Sequence, residues 1–267
     1  MPDLIVCPSP GEIFQKAADI FARDAADSIA SAGQFTVALA GGSTPLGLYQ
    51  LLSSAASSPA DRLPVTGYRL PDIDWPRVHI FFGDERCVPP ENDFSNYRMA
   101  NSSLLLNVSI PKRQIYRIRG EAPPNVAAGE YEGTLLRIFG ETDERPFPRF
   151  DLILLGMGPD GHTASLFPGT DALKETKRWV VSNYVEKFAG TPTPADRVTL
   201  TYPVLNAAAH VLFMVAGADK ADALREVLNG APNAGLYPSQ GVRPVSGRLT
   251  WLVDSAAAAK LPGSAVV

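Results

Sequence analysis

Short apolar runs recur along the chain, and most are followed by a polar turn and a segment with apolar residues at helical spacing. "LIVC" (residues 4–7) is closed by Pro8, and residues 12–32 then repeat apolar positions three and four apart, which predicts a strand followed by a helix. "FTVALAGGSTPLGLYQLL" (residues 35–52) repeats the order: an unbroken apolar strand, a Gly-Gly turn, and a helix whose first positions are expected at Thr44 and Pro45. A third strand is predicted over "RVHIFFGDER" (77–86), helices over 95–106 and 124–140, and a fourth strand over "FDLILLGMG" (150–158). Further strands are expected at 197–201, 209–215 and 249–254. Strands that are apolar at every position are buried on both faces. Their alternation with helices therefore predicts an α/β fold: a doubly wound, mainly parallel sheet with helices on both faces, in a single domain. In such a sheet, ligands bind at the carboxyl ends of the strands, so the polar turns after strands are where chemistry is expected. The Pro- and Gly-rich stretches at 57–76 and 186–194 are short enough to be loops.

Composition narrows the function classes. With 267 residues, 45% of them hydrophobic, the chain can bury a full core. A net charge of −4 offers no basic face for nucleic acid, although a local positive pocket remains compatible with it. Cys7 and Cys87 are too few for a disulfide framework, and no apolar stretch approaches the roughly 18 residues of a membrane span. With no basic-then-apolar leader in view, the expectation is a cytoplasmic protein, a monomer or small homo-oligomer, without nucleic-acid or membrane partners.

Four turns carry candidate chemistry. Gly156, Gly158 and Gly161 have the G-x-G-x-x-G spacing of a dinucleotide loop, but only "HTASLF" separates Gly161 from Pro168 and Gly169. Glu175 also precedes the next apolar run instead of ending it, so the nicotinamide reading fails. The same loop places Asp160 and His162 at a strand tip, with His162 expected at the start of a short helix. An imidazole there suits a general base, and a neighbouring carboxylate can fix its tautomer. "AGGSTP" (40–45) offers Gly41 and Gly42 for close backbone approach, with Ser43 and Thr44 beside the free N–H groups of a helix start, a cradle for phosphate. It is neither a Walker loop, since no Gly-Lys-Ser/Thr follows, nor a nucleophile elbow, since Pro45 takes the last position. Asp84, Glu85 and Arg86 cluster directly after an apolar strand. Arg197 opens "RVTLT" and Lys220 follows "VAGAD"; together they are expected to clamp a dianionic group. His79 and His210 read as histidines in routine hydrogen bonds. Three dispersed histidines without H-x-x-x-H or a cysteine cluster give no metal site.

Taken together, "AGGSTP", "FFGDERCVP" with "SNYRMA", "LLGMGPDGHTASLFPG", "RVTLT", "GADKA" and "LTWLVD" resemble the 6-phosphogluconolactonases, with matches in order from about residue 35 to 258. The resemblance implies a Rossmann-like fold shared with glucosamine-6-phosphate deaminases, and no cofactor. It implies hydrolysis of 6-phosphoglucono-δ-lactone to 6-phosphogluconate, the second step of the oxidative pentose phosphate pathway. By the family's pattern, His162 is the base or acid, and Arg86, Arg197, Lys220 and the Ser43/Thr44 loop bind substrate. The expected site is then His162 activating water and Asp160 orienting it, with Arg86 or the amides of Gly158 to Gly161 meeting the carbonyl oxygen. Gly41, Gly42, Ser43, Thr44, Asp84, Gly158, Arg197 and Lys220 complete the substrate-binding set. The deaminases carry an asparagine and a catalytic glutamate where this chain has Leu166 and Phe167, and Phe167 cannot move a proton. A sugar-phosphate sensor of this fold is expected to carry a helix-turn-helix, for which these residues leave no room.

Overall fold

The computed structural model describes residues 2–54, 68, 72–140, 142, 146–185 and 195–262. The predicted loop at 186–194 and most of that at 57–76 lie outside the described residues. The first predicted pair is present as strand β1 (Asp3–Cys7) and helix α1 (Pro10–Ala32). Pro10 sits in the first turn, where its missing N–H costs nothing, and Gly33 ends the helix in the left-handed region at φ 79, its N–H bonding Ile29 O. Between these ends Ile13, Ala17, Phe21 and Ala25 recur four residues apart and are buried. Phe21 meets Phe35 edge-on at 5.2 Å, which anchors α1 on the sheet.

Strands β2 (Phe35–Leu39), β5 (Leu152–Leu155) and β8 (His210–Val215) are buried at every position, so both faces of the sheet are covered. They belong to a six-stranded sheet in the order β1-β9-β8-β5-β2-β3, all pairs parallel, where β3 is Val78–Phe82 and β9 is Arg248–Asp254. The chain runs outward from β2 to β3, then returns to β5 on the other side and continues through β8 to β9. The direction changes between β2 and β5, so the crevice at their carboxyl ends is the expected ligand position in a doubly wound sheet. Helix α2 (Ser43–Ser54) leads away from β2 there, starting one residue earlier than predicted.

The single strand predicted over 77–86 is instead two strands in two sheets. Gly83 donates to Leu39 O at 2.9 Å and accepts from Leu200 N at 2.9 Å, passing the chain from the parallel sheet to a small antiparallel one. That sheet has the order β4-β7-β6, with β4 at Asp84–Arg86, β6 at Val180–Tyr184 and β7 at Asp196–Leu200. The predicted strand at 197–201 is thus β7, outside the parallel sheet. Of the helical segments, residues 95–106 divide into helix α3 (Asn96–Ala100) and a π-helical turn (Asn101–Leu105), and the second is α4 (Pro124–Phe139). Short helices α5 (Tyr202–Ala207) and α6 (Ala221–Asn229) flank β8.

Two buried tyrosines complete the strand ends that face the crevice. Tyr49 Oη accepts from Ala40 N and donates to Ala40 O, and Tyr131 Oη does the same for Phe82, so the backbone groups just past β2 and at the end of β3 are satisfied without water. The two histidines read as structural are so. His210 is buried between Asp24 at 2.5 Å and Thr250 at 3.0 Å, and His79 stacks against Tyr116.

Candidate active site

A cavity of about 300 Å³ opens at the crevice between β2 and β5. Its wall takes Gly41, Gly42, Ser43 and Thr44 from the β2–α2 turn, Asp84 and Arg86 from β4, Gly158 and His162 from the loop after β5, and Lys220 from the turn after β8. Residues spread over some 180 positions of sequence are therefore brought to one place by the parallel topology. Asp160 stands against His162 and outside this lining, and Arg197 is also outside the lining.

The loop after β5 is a compact turn. No helix begins at His162, contrary to the sequence expectation: Gly158 N–H bonds His162 O at 2.9 Å, Gly161 N–H bonds Gly158 O at 3.0 Å, and Leu166 N–H returns to Thr163 O. The first bond of a helix here would run from Leu166 N–H to His162 O, but each group is paired elsewhere, so no helix-end field acts on the imidazole. Gly161 takes φ 79, a conformation few side chains tolerate, and a Cβ there would press on Tyr237. Ser239, 77 residues beyond His162, clamps the turn by donating both its N–H (2.9 Å) and its hydroxyl (2.8 Å) to Gly161 O. Nothing local in the sequence signals that clamp.

Within this turn His162 Nδ1 lies 2.6 Å from Asp160 Oδ1, which also accepts from His162 N at 3.2 Å. Burial pushes the Asp160 carboxyl up, but the hydrogen bonds and charge of His162 outweigh it and hold the carboxyl below its ordinary value. An ionised carboxylate only accepts, so Nδ1 carries the proton of this hydrogen bond, and the lone pair of the neutral ring is then on Nε2. Gly158 makes the pairing possible. A Cβ at that position would lie 2.0 Å from His162 Nδ1 and 2.5 Å from Asp160 Oδ1. Gly158→Ala is therefore expected to displace the ring and lower turnover on the order of 10- to 100-fold in a folded protein, which steady-state kinetics with a thermal melt would measure. The expectation that the amides of Gly158 to Gly161 meet a carbonyl oxygen needs correction. Gly158 and Gly161 amides are engaged inside the loop, Pro159 has none, and the Asp160 amide turns to its own carboxylate.

The opposite wall is held by a second set of hydrogen bonds. Asp84 Oδ2 accepts from Ser165 Oγ at 2.6 Å and Oδ1 from Asn96 Nδ2 at 3.2 Å, which ties β4 to the His162 loop. Glu85, grouped with Asp84 and Arg86 in the sequence, turns away and caps α3, accepting from Ser95 Oγ and from the N–H groups of Asn96 and Tyr97. The Ser95 before a helical run was a legible cap signal; its carboxylate partner ten residues upstream was not. Asn96 also lines the cavity, and its packing explains Gly41, where a Cβ would fall 2.0 Å from Asn96 Oδ1.

Arg86 donates to Phe94 O and lines the cavity, and directly opposite it in the β4–β7 ladder stands Arg197, 5% exposed. Burial and then the charge of Arg86 lower the Arg197 pKa, yet a guanidinium stays protonated at neutral pH. Two like charges facing each other across a ladder repel, and an anion in front of Arg86 relieves that repulsion. Lys220 approaches from the other side. Its turn begins at Gly217, at φ 104, whose N–H donates to Asp254 at the end of β9, and Lys220 Nζ pairs with Asp219 at 2.8 Å. Among the described residues no group of three or more His, Cys, Asp or Glu side chains is placed to hold a metal ion.

A family profile described as glucosamine-6-phosphate isomerases/6-phosphogluconolactonase matches residues 8–251. A 6-phosphogluconolactonase of Nostoc sp. is 38% identical over 257 residues, covering 96% of this chain and 97% of that protein. One of Synechocystis sp. is 38% identical over 235 residues, 88% of each chain. The solved structure of 6-phosphogluconolactonase from Trypanosoma cruzi superposes with a TM-score of 0.80 at 29% identity, covering 98% of this chain and 97% of the other.

Proposed function

The chain belongs to the glucosamine-6-phosphate isomerase/6-phosphogluconolactonase family and is a lactone hydrolase; on that footing we propose that it converts 6-phospho-D-glucono-1,5-lactone and water to 6-phospho-D-gluconate in the cytoplasm, as the second step of the oxidative pentose phosphate pathway. The observation that carries this reading is the 2.6 Å hydrogen bond between Asp160 and His162 at the edge of a cavity that also takes Arg86, Lys220 and the start of α2.

A lactone is an activated ester, so its hydrolysis needs a base for water and a positive partner for the oxygen that becomes negative. His162 Nε2 takes a proton from water as the hydroxyl adds to the lactone carbonyl carbon. Asp160 holds the ring in the tautomer with its proton on Nδ1 and stabilises the imidazolium that forms. With the loop amides engaged, Arg86 is the group that meets the oxyanion. Collapse of the tetrahedral intermediate breaks the bond to the ring oxygen, which leaves as the C5 hydroxyl with the proton returned by His162. Each step uses side chains alone, so no metal or cofactor enters. The free N–H groups at the start of α2, the Ser43 and Thr44 hydroxyls and Lys220 receive the phosphate, and Arg197 reinforces the positive wall behind Arg86.

Initial rates on two substrates test the reading. The protein is expected to accelerate hydrolysis of the freshly made lactone and to release no ammonia from glucosamine 6-phosphate, since Phe167 stands where the related deaminases use a glutamate. Ammonia release at a rate rivalling lactone hydrolysis would overturn the choice.

A further inference from the structure

The hydrogen bond between His162 Nδ1 and Asp160 Oδ1 holds one edge of the imidazole, and a second contact lies against its face. The Phe167 ring stacks on His162 with centroids 4.1 Å apart and planes within 18° of parallel.

Phe167 is itself firmly held. Its side chain is buried, its carbonyl accepts from Thr170 Oγ1 at 2.8 Å, and Thr170 Oγ1 in turn accepts from Asn183 Nδ2 at 3.1 Å. Gly169, at φ 73, turns the chain just beyond it and donates to Gly235 O. Phe167 and Asp160 line a second cavity, of about 960 Å³, while His162 lines the first. The stacked pair therefore stands as a partition between the two. An aliphatic side chain of similar volume would fill the same space without presenting a flat face.

We propose that Phe167 is a positioning residue that acts through His162, fixing the imidazole plane so that Nε2 stays aimed at the water that attacks the carbonyl. The proposal deepens the lactonase reading and rests on it for its kinetic arm. The position that supplies a proton-transfer group in the related deaminases supplies here an orienting surface.

Two measurements on the full-length protein test it. In the first, Phe167→Leu is expected to lower kcat roughly tenfold with KM within about twofold of wild type, and Phe167→Tyr, which keeps the flat face, to restore kcat. In an Asp160→Ala background the ring has already lost its fixed direction, so Phe167→Leu should cost less than about threefold more. Equal losses in both backgrounds, or a failure of Tyr to rescue, would overturn the proposal. In the second, relaxation of the His162 ring carbons in histidine-labelled protein is read without substrate. Added ring motion in Phe167→Leu, with a melting curve that still shows a folded protein, supports the role; an unchanged ring overturns it. Wild-type protein that fails to hydrolyse the lactone would defeat the substrate reading, while the relaxation measurement still decides the role of Phe167.

Discussion

Replacing His162 by alanine is expected to lower turnover on 6-phospho-D-glucono-1,5-lactone by roughly 10² to 10⁴ while leaving the fold intact. The size follows from the role. Water is a poor nucleophile at neutral pH, and Nε2 is the basic atom that the loop after β5 presents to the cavity. The fold should survive because the turn is closed by backbone bonds from Gly158 and Gly161 and by Ser239, none of which uses the imidazole. Circular dichroism and a thermal melt beside the kinetics separate lost chemistry from lost structure. Near-wild-type turnover in a folded His162→Ala protein would remove the general base from the mechanism.

The second large effect concerns capture of an anion by a protein of net charge −4. Lys220 and the start of α2 line the same cavity, and a helix N-terminus beside an ammonium is a strong site for a phosphate dianion. Lys220→Ala is expected to cost about 2 to 4 kcal/mol in kcat/KM, on the order of 30- to 1000-fold. Most of that loss should depend on the phosphate. With unphosphorylated glucono-δ-lactone the wild type should already be slow, and the same substitution should cost far less. Damage to folding or to His162 would lower both reactions together, so the comparison isolates the phosphate contact. Equal losses on both lactones would move Lys220 to the ring or the carbonyl. Arg197 is expected to show a smaller phosphate-specific loss than Lys220, because it stands behind Arg86 and outside the cavity wall.

Much of this arrangement was legible in the sequence because burial leaves a direct mark. The central strands of the parallel sheet are almost wholly apolar, as "FTVAL" and "LILL" are, and only a strand covered on both faces has reason to be. The site was legible for a related reason: Gly41 and Gly158 follow such strands where a side chain would collide with Asn96 or with the His162–Asp160 pair, and Gly42 takes φ 104. What escaped the reading depends on partners distant in sequence. The change of sheet at Gly83 is invisible in "VHIFFGDER", because the apolar pattern runs up to the glycine and the cause lies in Leu39 and Leu200. The helix expected at His162 does not form because His162 O, which would accept its first bond from Leu166, accepts from Gly158 in a turn that Ser239 locks from 77 residues further on. Glu85 looked like a site charge beside Asp84 and Arg86. Since successive side chains of a strand alternate, Asp84 and Arg86 share the cavity face while Glu85 is turned to α3. Phe167 was read for the proton it cannot carry, and its stacking on His162 becomes visible only once the turn is folded.

The most direct measurement is proton release at constant pH from freshly prepared 6-phospho-D-glucono-1,5-lactone, with wild-type protein and without it. The lactone opens spontaneously, so the comparison is demanding. A rate far above the spontaneous one, proportional to protein concentration and saturable in the phosphorylated lactone, is the expected result. A rate indistinguishable from spontaneous opening, in protein shown to be folded, would contradict the assignment.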